Sequence, residues 1–218
     1  YNRGAMIVFP KSTLVGKPVP KTAFYRNLEV NAKMKQRFVD SVESITWTAK
    51  LAPSTLSVAD GKTVHEIAVF RIELKGEVVP TDVLVFIDRQ MPRHTLFLLQ
   101  HDDDFCLLVN YKEWHDAANT RFDIVKTFQT GWTSADKLSL SLDGQDMDAV
   151  YSAIVKQVAG ADITSEAKDI HTAVAQTKEQ EALRQKIAAL EAKIAKERQP
   201  KKKFELHQQL VKLKENNE

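Results

Sequence analysis

The sequence predicts an α+β fold: a mixed-sheet α/β domain followed by a C-terminal antiparallel helical hairpin of coiled-coil character. Three observations carry this. Short period-two apolar runs alternate irregularly with two amphipathic helical patterns over the first 160 residues. Glycine disappears after Gly160, and Ala, Glu, Lys and Gln take over. Finally, Leu183, Ile187, Leu190 and Ile194 repeat a 4-3-4 spacing that Leu206, Leu210 and Leu213 resume beyond Pro200.

With 218 residues, 43% apolar and 28% charged, the chain suits one globular domain of residues 6–160 with an appendage of residues 161–218. Residues 1–5 read as an addition ahead of a natural start at Met6. Residues 10–30 contain Pro10, Pro18 and Pro20 and read as an irregular arm. "NAKMKQRFVDSVES" is the first helix, capped by Asn31, with Met34, Phe38 and Val42 on one face. "ITWTAKLA" is a strand closed by Pro53. "VHEIAVFRIELK" is the longest strand, with Val64, Ala68, Phe70, Ile72 and Leu74 on one face and Ile67 and Val69 on the other. Apolar residues on both faces place it centrally in the sheet.

Thr81 caps "DVLVFIDRQM", a short helix stopped by Pro92. "HTLFLLQ" and "FCLLVNY" form a hairpin around Asp102, Asp103 and Asp104; "RFDIVKTF" follows, and "KLSLSLDG" is a fourth candidate strand. "DMDAVYSAIVKQVA" is a helix ended by Gly160. No glycine-rich phosphate loop follows a strand, which argues against a doubly wound nucleotide-binding fold.

The tail's apolar seam begins earlier, at Ile163, Ala167, Ile170 and Val174. Unbroken from Ser165 to Arg198, a helix here would be about 50 Å long. Pro200 cannot continue it but suits the first turn of another. The two helices are expected to pack antiparallel through Leu183, Ile187, Leu190 and Ile194 against Leu206, Leu210 and Leu213, and to associate with a second copy or a partner protein. Residues 176–218 hold eleven Lys/Arg against seven Asp/Glu, a balance of +4 where the whole chain has +2, so the remainder carries −2.

Chemistry is sparse. Glu73 and Lys75 in "IELK" point the same way from one strand, as a Mg²⁺-dependent nuclease with a Glu-x-Lys pair requires. Asp60 is the candidate acidic partner, since Glu66 alternates onto the opposite face. Asp102 to Asp104 read as a solvated hairpin tip. The six histidines lack metal-ligand spacing, and with one cysteine no metal site is expected. Cys106 reads as a buried small hydrophobe of a reducing compartment. Trp47, Trp114, Trp132 and Tyr111 read as packing residues. The basic turn "KERQPKKK" offers Lys196, Arg198, Lys201, Lys202 and Lys203 as candidate phosphate contacts. No run of apolar residues is long enough to span a membrane and the N-terminus has no export signal, so a cytoplasmic location is expected.

"VPKTAFYRNLEV", "ESITWTAKLAPSTLSV", "VHEIAVFRIELK", "VLVFIDRQMPRHTLFLL" and "ALEAKIAKERQPKKKFELHQQLVKLK" together resemble a bacterial and archaeal family known as domain of unknown function 4391. The resemblance covers nearly the whole chain from Met6. Pro200 and Lys201 stand where relatives have an aromatic residue and an asparagine. The resemblance implies a gene neighbourhood of helicases and DNA methyltransferases in restriction-like clusters, and so a partner of that kind. It assigns no catalytic residue. The expected function is therefore a non-catalytic accessory protein of a DNA-processing or restriction-type assembly, without a cofactor. The alternative is the nuclease, which would use Mg²⁺.

Overall fold

The computed structural model describes residues 7, 9–25, 32–116, 118, 121–163 and 169–215. Met6 and the residues before it, Asn31 and Ala167 lie outside them. The chain divides into two compact units, Tyr1–Ala161 and Asp162–Glu218.

In the first unit one mixed sheet runs in the order β1 (Leu14–Pro18), β2 (Val42–Leu51), β3 (Ile67–Leu74), β4 (His94–His101), β5 (Asp104–Trp114), β6 (Phe122–Gln129). A two-residue β7 (Thr133–Ser134) also pairs with β5. The helices are α1 (Ala32–Ser41), the single turn α2 (Pro53–Leu56), α3 (Thr81–Arg89) and α4 (Met147–Ala159). Neighbouring strands are antiparallel except β3 and β4, which are parallel because α3 carries the chain back between them.

The central position of β3 follows from its two-sided apolarity: all of Ile67, Ala68, Val69 and Phe70 are buried. Ala68, Phe70, Ile72 and Leu74 join Phe97 and Leu99 of β4 and Cys106 and Leu108 of β5 in one core. Phe38 of α1 and Val83, Leu84 and Ile87 of α3 cover that face. Against the other face lies α4, whose Tyr151 ring stacks on Tyr111 of β5. Asp146 caps α4 by accepting the Ala149 amide, and Gly160 ends it at φ 53°.

Four local expectations are corrected. The arm contains an edge strand, β1, in which Gly16 takes φ 64° at a register shift. The first helix stops at Ser41, because Val42 to Ser44 already pair with β3. Pro80, not Thr81, occupies the cap position of α3, and no side chain caps it. "KLSLSLDG" is not a strand. The Ser141 amide and carbonyl bond instead to the Gln157 side chain of α4.

In the second unit α5 (Ile170–Lys196) and α6 (Pro200–Glu215) form a hairpin. The expected start at Ser165 lies outside the described residues; helix α5 is described from Ile170, where Asp169 accepts the Thr172 amide. Pro200 opens α6 in its first turn. No described helix is long and apolar enough to cross a membrane.

Candidate functional site

Glu73 and Lys75 lie at the carboxyl end of β3, where the parallel pair of strands ends together. Glu73 accepts a hydrogen bond from Ser44 Oγ at 3.0 Å, and Lys75 Nζ stands 3.7 Å from Glu43 Oε2. Glu43 occupies the position of a register shift in β2, between Val42 and Ser44. All four side chains are exposed or nearly so. Asp60 is elsewhere. It bonds the His65 ring at 2.9 Å ahead of β3, so the strand, about 20 Å long from Ile67 to Glu73 at ~3.3 Å per residue, separates it from Glu73. Glu66 pairs with Lys50 and Arg93. Among the described residues no three His, Cys, Asp or Glu side chains gather closely enough to hold one metal ion.

At that far end, Asp148 in the first turn of α4 organises the loop before β3. One carboxylate oxygen accepts the Thr63 amide, the Thr63 hydroxyl and the Val64 amide, and the other accepts the Lys62 amide at 2.6 Å. Partial burial pushes this carboxyl upward, but the Thr63 hydroxyl and the loop amides outweigh it and hold the group below its usual range. The wrapping is tight: a Cβ on Gly61 would come 2.4 Å from the Val64 carbonyl oxygen.

His94 is buried beside this loop in a box of rings. Tyr151 meets it at 4.4 Å, Phe122 at 4.8 Å and Trp114 at 6.5 Å, all edge-on. Burial, reinforced by the charge of Lys112, pushes its pKa down to about 3. A ring held neutral is a packing element at physiological pH, not a proton carrier.

One polar network of this unit is closed to solvent. Asp88 of α3 and Lys112 of β5 pair at 2.5 Å with neither side chain exposed. Thr95 Oγ1 and Asn110 Nδ2 also donate to Asp88. Lys112 donates further to the carbonyls of Asp88 and Arg93. Asn110 in turn accepts from Thr127 Oγ1 of β6. Burial pushes the Asp88 carboxyl up and the Lys112 ammonium down, each against the attraction of its partner. Every donor of the ammonium has an acceptor, so the network joins α3, β4, β5 and β6 rather than presenting a group to a substrate. Neither Asp88 nor Lys112 stands out from spacing in the sequence. A signal was present: both lie on apolar faces, Asp88 four residues after Leu84 and Lys112 two strand steps beyond Leu108.

One cavity among the described residues of this unit is mainly apolar. It measures about 340 Å³ and is lined chiefly by Val19, Phe24, Trp47, Phe70, Met91 and Pro92, between the N-terminal arm and the end of α3. Trp47 thus lines a cleft, while its indole N–H is spent on the Ala49 carbonyl. Trp114 and Trp132 likewise donate to backbone, at Thr63 and Glu77. Cys106 is buried, and burial raises its thiol above the usual range.

In the hairpin, Ile194 and Leu210 are buried, whereas Leu183, Ile187, Leu190, Leu206 and Leu213 are half-buried. Lys214 pairs with Glu191 across the helices at 3.1 Å. Phe204 and Val211 of α6 remain exposed, at 63% and 52%. Lys196, Arg198, Lys201, Lys202 and Lys203 all project to solvent around the turn.

The comparison with curated proteins found no match, and neither did the comparison with solved structures. One family does match, over residues 7–216, and so across both the sheet unit and the hairpin: the chain belongs to the family described as a domain of unknown function (DUF4391).

Proposed function

We propose that this protein is a non-catalytic accessory protein that works by association, with the hairpin α5–α6 as its docking element. The observation that carries the reading is the unequal length and partial burial of that hairpin. At ~1.5 Å per residue, α5 is about 40 Å long and α6 about 24 Å, from 27 and 16 residues. The shorter helix covers part of the longer one, and five of the seven seam residues are only partly buried. A two-helix hairpin gains stability when such seams meet further helices, because helix stability comes mainly from packing. A second copy supplies the same faces in return and forms a closed two-fold contact. The gene neighbourhood that the family resemblance implies makes a helicase or DNA methyltransferase of a restriction-type assembly the fitting heterologous partner, in the cytoplasm.

Sedimentation equilibrium tests this. The intact chain should have twice its 24.7 kDa mass, and Leu183→Lys with Ile187→Lys should return it to monomer while far-UV dichroism is retained. A wild-type monomer that also forms no complex with a helicase or methyltransferase encoded beside it would overturn the reading.

A further inference from the structure

The turn of the hairpin has a second character that its apolar seam does not explain. From Lys193 to Glu205 there are six cations (Lys193, Lys196, Arg198, Lys201, Lys202 and Lys203) and two acids, Glu197 and Glu205. Four net positive charges therefore fall within 13 residues of a chain whose total is +2. All six cations are exposed. One of the acids is spent on the turn itself: Glu197 accepts the Gln199 amide at 2.8 Å, which holds its carboxyl low. The ion pair of Lys214 with Glu191 lies farther along the hairpin. Between the helices at this end is a cleft of about 500 Å³, where Lys193, Lys196 and Lys202 stand beside Glu197, Glu205 and the seam residue Leu206.

Phe204 stands directly after the three lysines and is 63% exposed. At 100° per residue it lies on the side of α6 opposite Leu206, Leu210 and Leu213, one turn from Lys201. Its ring thus contributes nothing to the hairpin's own seam. An exposed phenyl ring costs solvation, and an aromatic face among cations is the arrangement that takes an unstacked base while the lysines neutralise the adjoining phosphates. A duplex offers no such base, and phenylalanine has no donor or acceptor with which to read a groove edge. A lipid surface calls for a broad apolar face, whereas the first turn of α6 presents Phe204 alone, with Lys201 and Lys203 on its two flanks.

We infer that the hairpin tip is a binding site for single-stranded nucleic acid, with Phe204 as the stacking platform and Lys193, Lys196, Arg198 and Lys201 to Lys203 as the phosphate contacts. Phe204 lies off the association seam, whereas Leu206 of the seam lines the cleft beside Lys202, so Phe204→Ala is the variant that separates the two roles.

Fluorescence anisotropy with end-labelled oligothymidylate of about 15 nucleotides, its oligouridylate counterpart and a duplex of equal length tests the site on the full chain. Single strands should bind more tightly than the duplex, and binding should weaken steeply with salt. Lys201→Ala, Lys202→Ala and Lys203→Ala together should reduce the salt slope by about 2, at ~0.7 per phosphate contact. Phe204→Ala should weaken single-strand binding roughly fivefold to a hundredfold, the range for loss of one stacked base, with little effect on the duplex. Phe204→Trp should restore binding, and its fluorescence should be quenched on adding oligonucleotide. Preference for DNA or for RNA is compatible with the site. Equal binding of duplex and single strand with Phe204→Ala silent would overturn it. So would no binding at low salt, or binding confined to phosphatidylserine vesicles. Unchanged sedimentation mass in these variants separates loss of this site from loss of association.

Discussion

The Lys112 ammonium and the Asp88 carboxylate meet at 2.5 Å with neither side chain exposed, linking the end of α3 to the middle of the sheet. Removing one partner leaves a buried charge without its counter-ion, which costs about 3–5 kcal/mol. Lys112→Met and Asp88→Leu should each lower unfolding free energy in urea by that order. The double variant should lose less than either, because two apolar groups of similar size need no ion pairing. Additive losses in the cycle would contradict this account of the network.

His94 gives stability a pH dependence of definite sign. In the unfolded chain it takes up a proton near 6.5, and in the fold near 3. Between these values the unfolded state holds more protons, so stability falls as pH drops, by up to about 1.4 kcal/mol per pH unit. His94→Phe keeps a ring in the aromatic box and removes the proton site. Its unfolding free energy should be flatter than wild type from pH 6.5 to 4, measured by denaturant titration at each pH.

The difference between what could and could not be read from the sequence is one of range. Periodicity located β3, α4 and the hairpin because their burial patterns are local and repeated. It missed β1, where Gly16 and Pro18 carry breaker signals that an edge strand tolerates, since one side of its backbone has no strand to satisfy. "KLSLSLDG" shows the reverse: its alternation suits a strand, but Gln157 of α4 takes the backbone groups of Ser141 instead. The buried network lies further beyond local signals, since Asp88, Thr95, Asn110 and Lys112 are assembled from three elements. Glu73 and Lys75 were visible as a pair, while the neighbour that meets Lys75, Glu43, is brought there by a register shift in β2.

Asp148 should act as the clasp of the loop before β3. It accepts from Lys62, Thr63 and Val64, so Asp148→Ala should cost about 1.5–3 kcal/mol, the range for hydrogen bonds to a charged acceptor. Its carboxyl is held below the ordinary value of 3.8 in the fold. That contribution is therefore present above about pH 4 and lost as pH falls through the lower folded value. Hydrogen exchange should report the same event locally. The amides of Lys62, Thr63 and Val64 should exchange faster in Asp148→Ala, with Leu108 in β5 unchanged.

The last prediction concerns the enzymatic alternative. A Mg²⁺-dependent nuclease of the Glu-x-Lys kind needs carboxylates that converge on one ion, with ligand oxygens about 2.0–2.1 Å from it, and a lysine free to position water. Here the Lys75 ammonium is drawn to Glu43 at 3.7 Å, Glu73 accepts from Ser44, and Asp60 bonds His65 beyond the opposite end of β3. Exposed pairs of this kind contribute little to stability, so Lys75→Ala and Glu73→Gln should fold normally, with unfolding free energies within about 0.5 kcal/mol of wild type. Incubated with Mg²⁺ or Mn²⁺ and either supercoiled or single-stranded DNA, wild type and both variants should leave the substrate uncut. Cleavage by the wild type that Lys75→Ala abolishes would transfer the assignment to the nuclease and make Glu43 the partner to test next. Nucleic-acid binding at the hairpin tip would be untouched by that outcome, because its lysines and Phe204 belong to the other unit of the chain.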